Sequence, residues 1–176
     1  MTAELAWDHA TTDIPETGLA SDRIAAPDEL DGLARALDLI ACRGLAAHYA
    51  IAPAGMGRYR LTGTLRAEVS QACVVTLEPV SGTIEEAFEQ AFWPQEDMPA
   101  PRSGEVNLDE APDPEPIVAG QIPVGRVVFE CLAAALDPYP RAAGATLDRL
   151  AAAPREGVGR AGESPFAVLA SIKTKG

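Results

Sequence analysis

The chain has 176 residues and a formal net charge of −12 at pH 7, with 47% hydrophobic and 23% charged residues. That length predicts one domain, able to bury roughly 70% of its unfolded surface without a metal or disulfide staple. The acidity excludes a broad phosphate-binding face, no apolar run reaches the roughly 20 residues of a membrane helix, and MTAELAWDHA does not read as a secretory signal, so a soluble cytoplasmic protein is expected.

Residues 5–7 predict a short strand or an ordered arm, and 17–25 a weak strand. Pro27 opens a stripe of Leu30, Leu33, Ala34, Leu37 and Ile40 at helical spacing. Asp28 and Glu29 stand in the first turn, where the helix dipole favours acids. This helix is expected over 28–42, with Gly44 as its C-cap. Residues 45–52 predict a strand. Residues 58–70 alternate, with Tyr59, Leu61, Gly63, Leu65, Ala67 and Val69 on one face. Arg58, Arg60, Thr62, Thr64, Arg66 and Glu68 fall on the other. A period of two is a strand with one wet face. Residues 72–79 predict a further strand, with Cys73, Val75 and Leu77 on one face.

Residues 80–93 fit both periods, because Val80, Ile84, Phe88 and Phe92 recur four apart. Helix formers dominate, but the preceding meander favours a strand, since context overrides propensity. Residues 95–115 form an acidic, Pro-rich loop, expected to be mobile: Glu96, Asp97, Glu105, Asp109, Glu110, Asp113 and Glu115 oppose only Arg102. Residues 115–120 predict a strand and 123–136 a helix whose buried face holds Val124, Val127, Val128, Cys131, Leu132 and Ala135. Asp137-Pro138-Tyr139-Pro140 ends it. Residues 142–176 predict a flexible extension with a short terminal helix.

These elements predict an α+β fold in a single domain spanning 1–176. An antiparallel sheet of about five strands (45–52, 57–70, 72–79, 80–93 and 115–120) is expected under two covering helices.

Cys42, Cys73 and Cys131 lie far apart among apolar neighbours and read as buried free thiols. His9 and His48 lack metal-site spacing, so no metal or other cofactor is expected. No GxSxG, P-loop or GxGxxG is present, and pairing of Cys73 with His48 has no sign of an activated thiolate. Enzymatic chemistry and a small-molecule substrate are therefore not expected. Arg58, Arg60 and Arg66 are spaced by even numbers, so they share the wet face and could touch RNA phosphates. The plainer reading pairs them with Glu68 and with Glu85 or Glu86.

Val69-Ser-Gln71-Ala-Cys73-Val-Val-Thr76-Leu77-Glu78-Pro79-Val80, preceded by Leu61-Thr-Gly63-Thr-Leu65, resembles the central signature of the YceD family. A second stretch agrees: Glu115-Pro-Ile117, Gly120-Gln-Ile122-Pro123-Val124-Gly125, Glu130 and Leu136-Asp137-Pro138-Tyr139-Pro140. The ending Ser164-Pro-Phe-Ala-Val-Leu-Ala170 is similar to the family's C-terminal segment. Many relatives carry CxxC where this chain has Cys73-Val74-Val75-Thr76, so a zinc or redox role does not carry over. The resemblance implies a factor for accumulation of large-subunit ribosomal RNA. Its partner would be ribosomal RNA, or a basic ribosomal protein held by an acidic module without direct RNA contact. It implies no active site, and the signature residues Gln71, Cys73, Thr76, Leu77, Glu78, Pro79, Glu130, Pro138 and Pro140 read as mainly structural.

Overall fold

The alternation at 58–69 lies in the central strand of a five-stranded sheet, as the computed structural model, which describes residues 5–99 and 113–146, shows. The elements in chain order are β1 (Asp8–Ala10), β2 (Leu19–Ile24), α1 (Pro27–Ala36), β3 (Ala41–Pro53), β4 (Tyr59–Ala72), β5 (Pro79–Trp93), β6 (Glu115–Pro116), β7 (Gln121–Pro123) and α2 (Val124–Ala135). Short 3₁₀ turns at Thr11–Asp13 and Gln95–Asp97 follow β1 and β5. The sheet runs β2-β3-β4-β5-β6, and β1 pairs with β7 in a separate ribbon. The chain divides into a unit of residues 1–143 and a unit of residues 144–176. Residues 100–112 of the acidic loop and the expected terminal helix lie outside the described residues.

The dry face of β4 supplies Leu61, Leu65, Ala67 and Val69. Beside it β3 contributes Leu45, Ala47, Tyr49 and Ile51, and β5 contributes Phe88 and Phe92. Helix α1 packs its Leu33 over β3, while α2 packs Val124, Val127, Val128 and Leu132 over β5 and β4. Leu5, Trp7 and Ile122 complete the same core, so the amino-terminal segment is an arm built into the fold. Each large apolar side chain buried here contributes roughly 1.5–3 kcal/mol.

The α+β expectation holds, with changes in the elements. Residues 80–93 are a strand: β5 keeps unbroken register with β4 from Phe92 opposite Tyr59 to Pro79 opposite Ala72. That continuous ladder outweighs the helix formers in the segment. The first helix is shorter than expected, stopping at Ala36. Asp38 adopts φ 52°, a turn that breaks the helix, and the Ile40 N–H donates to the Ser70 carbonyl at 2.8 Å. The chain therefore enters β3 at Ala41, and Gly44 sits at a β-bulge rather than a helix cap.

Two expected strands are corrected. Residues 73–78 form a turn between β4 and β5, which pair directly, and the fifth strand is instead β2, from the weak strand of 17–25, added outside β3. Of residues 115–120, only Glu115 and Pro116 join the sheet, parallel to β5, so the sheet is mixed rather than purely antiparallel. The chain then turns through Ala119 and Gly120, both at positive φ, into β7.

Candidate functional site

The signature residues form a clasp between the β4–β5 turn and the segment after α2. The Cys73 N–H donates to the Glu78 carbonyl, and the Leu77 N–H donates to the Cys73 carbonyl, each at 2.9 Å. Closing this turn puts Leu77 at φ 61° and leaves its side chain 76% exposed. The expected shared apolar face of Cys73, Val75 and Leu77 is therefore absent. Thr76 donates its hydroxyl to Glu78 Oε2 at 3.2 Å, and Pro79 starts β5. Across the clasp, the Gln71 side-chain amide donates to the Asp137 carbonyl at 2.9 Å. The Val74 N–H donates to the Pro140 carbonyl at 2.9 Å. Asp137 Oδ1 accepts the Tyr139 N–H, fixing the Pro138–Pro140 corner; Pro140 is buried and Pro138 exposed.

Cys73 sits at the centre of this clasp. Its sulfur accepts N–H groups from Val75 and Thr76 at 3.4 Å and from Ala142 at 3.3 Å. The residue is fully shielded from solvent, yet it stands outside the hydrophobic core. The donors outweigh burial: the Ala142 N–H first, then Thr76 and the Val75 N–H pull the thiol down to about 6. Cys42 and Cys131 behave oppositely, since burial pushes both thiols up. All three cysteines are free.

The three candidate RNA-contact arginines line one side of the sheet, and each meets an acid. Arg66 pairs with Glu85 directly across the β4–β5 ladder. Arg60 pairs with Glu89 at 3.2 Å. Arg58, just before β4, reaches Asp97 at 3.2 Å and lies 4.1 Å over the Trp93 ring. Glu130 of the signature pairs with Arg126 at 3.0 Å, and Arg126 also holds Glu115, tying α2 to β6. These acids hold Arg126 above the ordinary guanidinium value.

His48 and Cys73 are not brought together: His48 lies exposed on the wet face, bonded to Asp22 at 2.7 Å. His9 contacts the hydroxyl of buried Tyr49 at 2.8 Å, a link between β1 and β3 that the sequence did not signal. Among the described residues no group of His, Cys, Asp or Glu could hold a metal ion, and no helix is long and apolar enough to cross a membrane.

The fold and clasp define an acidic α+β protein whose signature residues join backbone segments. The model of the YceD family, the large ribosomal RNA subunit accumulation proteins, matches residues 61–173, and the chain belongs to that family. The match spans β4, the clasp and α2. No curated protein and no solved structure matches the chain.

Proposed function

We propose that the protein is a non-enzymatic cytoplasmic factor supporting accumulation of 23S ribosomal RNA, and that it acts by holding a basic ribosomal protein rather than by gripping RNA phosphates. Family membership supports the ribosomal role. The observation that favours a protein partner is the pairing of Arg58, Arg60 and Arg66 with Asp97, Glu89 and Glu85.

Exposed ion pairs of this kind are worth only about 0.2–1 kcal/mol, so phosphate could in principle displace the acids. What opposes it is the net charge of the surface. Asp22, Glu68, Glu85 and Glu89 share the wet face with Arg43, Arg58, Arg60 and Arg66, so this face has no excess of positive charge to attract a polyanion. Arg58 is further removed by its stacking on Trp93. A basic partner meets the opposite situation, drawn by acids over a Debye length of about 8–10 Å. A non-enzymatic role fits the clasp, where the Cys73 sulfur is shielded and its described partners are backbone N–H donors rather than a general base.

RNA affinity measured across salt concentrations tests the division between partners. Arg58→Gln, Arg60→Gln and Arg66→Gln together should leave the salt slope unchanged. A slope that flattens by about one per lost contact would assign these arginines to phosphates and overturn the protein-partner reading.

A further inference from the structure

The strand β5 is the longest in the sheet, and among the described residues one of its edges is almost entirely unpaired. Its pairing with β4 is unbroken from Pro79 to Phe92, whereas β6 covers only Phe92 and Trp93. On the β6 side the Trp93 carbonyl accepts the Ile117 N–H at 2.8 Å. In an antiparallel strand alternate residues turn both backbone groups to the same side. Counting back by twos, Ser81, Thr83, Glu85, Ala87 and Glu89 direct their N–H and C=O groups away from β4. Among the described residues these outward groups have no hydrogen-bond partner.

Natural sheets defend such edges with lysine, internal proline, a bulge or a very short strand. Over Pro79–Trp93 there is no lysine, the single proline stands at the first position, and the register with β4 has no bulge. The side chains set the sign of the partner. Glu85, Glu86 and Glu89 are exposed, and β5 carries no basic residue. Arg60 and Arg66, which pair with two of these acids, stand one strand further in, on β4. A strand added beyond β5 would therefore lie beside carboxylates, not guanidiniums. A second copy of this chain is disfavoured, since antiparallel pairing of two β5 strands about Ala87 sets Glu85 opposite Glu89 on the same face. Like charges directly opposite one another destabilise a ladder.

We propose that the open edge of β5 is a docking strand for an extended, basic segment of a partner protein, which joins the sheet by β-strand addition. Main-chain bonds to Thr83, Glu85, Ala87 and Glu89 supply affinity, and lysines or arginines facing Glu85, Glu86 and Glu89 supply selectivity. The proposal rests on the protein-partner reading above and names the surface that would serve it.

The probe is a short peptide of alternating Lys and Val, with a control of equal charge that carries Pro in place of Val. Bound to the full chain, the Lys-Val peptide should slow hydrogen exchange at the Thr83, Glu85, Ala87 and Glu89 amides. Their neighbours, already bonded to β4, should not change. Ala87→Pro removes one outward N–H while sparing the β4 ladder, and should weaken binding about tenfold or more. Thr83→Pro serves as a second variant, and the exchange pattern of the unaltered chain needs neither. Failure of the peptide to bind, equal binding of the Pro control, unchanged affinity in the variants, or protection confined to other surfaces would each overturn the docking strand. Capture of a basic ribosomal protein that survives Ala87→Pro would defeat this edge and leave the protein-partner reading standing. Absence of such capture by the unaltered chain would defeat that reading itself.

Discussion

Cys73 is held by three backbone N–H groups while screened from water, so its chemistry is that of an anchored acceptor. Its folded value of about 6 lies below the ordinary thiol value of 9.0. The native state thus releases this proton before the unfolded chain does. The stabilisation is full above the unfolded value and is lost as pH falls through about 6. Cys73→Ser should fold and should support ribosomal RNA accumulation, but its stability should lose the rise with pH across this window. Denaturant melts of both proteins across the window check this; complete loss of accumulation in a stably folded variant would point to thiol chemistry. His9 works in a lower window. Burial against Tyr49 lowers its value first, Arg23 adds to this, and Asp8 and Asp13 oppose it. As pH falls below 6.5 the unfolded chain takes a proton that the native imidazole resists, so stability declines. His9→Gln should flatten that decline, and equal slopes in the two proteins would contradict this account of His9.

At the scale of elements, glycines mark where backbones close on one another. A Cβ on Gly63 of β4 would lie 2.6 Å from both the His48 carbonyl oxygen and the Phe88 ring. Gly125 in the first turn of α2 would collide with the backbone of Leu5, where the arm crosses the helix. Ala at a helix position normally gains about 1 kcal/mol over Gly. Overpacking costs about 1–3 kcal/mol and here falls on backbone that cannot rotate away. Gly125→Ala should therefore destabilise the protein, read as a lowered denaturation midpoint with an unchanged denaturant slope; a stabilised variant would show that the arm is not seated on α2.

Much of this architecture was legible in the residues. The alternation from Tyr59 to Val69 named both faces of β4, and the Val124–Leu132 stripe named the buried side of α2. Glu85 was legible as a partner for Arg66; Glu89 as the partner of Arg60 was not, because it sits diagonally across the ladder. The stripe from Leu30 to Ile40 overran its helix, because a left-handed Asp38 and the pull of the Ser70 carbonyl are not written in periodicity. The segment 73–78 misled in the same way. Apolar residues around Cys73 look like a strand, whereas backbone donors from Val75, Thr76 and distant Ala142 wrap it into a turn. Polar Thr76 and Glu78, followed by Pro79, were the available signal. The clasp partner at 137–142 is remote in sequence, so no local pattern could reveal it.

The molecule as a whole carries −12, and on its wet sheet face Arg60 and Arg66 pair with carboxylates. This charge is what favours a basic ribosomal protein as the partner in the proposal above. Residues 95–115 add seven acids against Arg102 alone to the chain's charge. Replacing residues 100–112 with a neutral Gly-Ser linker of equal length should weaken capture of a basic ribosomal protein, most at low salt, since screening then acts least. Capture unchanged at every salt concentration would reduce this segment to a spacer. The central claim meets its most direct measurement in affinity capture with the full chain from cell lysate, with and without ribonuclease, each recovered ribosomal protein being quantified. The account predicts that a basic large-subunit protein is retained in near-equal amount after the RNA is digested. Loss of every ribosomal protein on ribonuclease treatment would show that RNA, and not a protein, is what this chain holds.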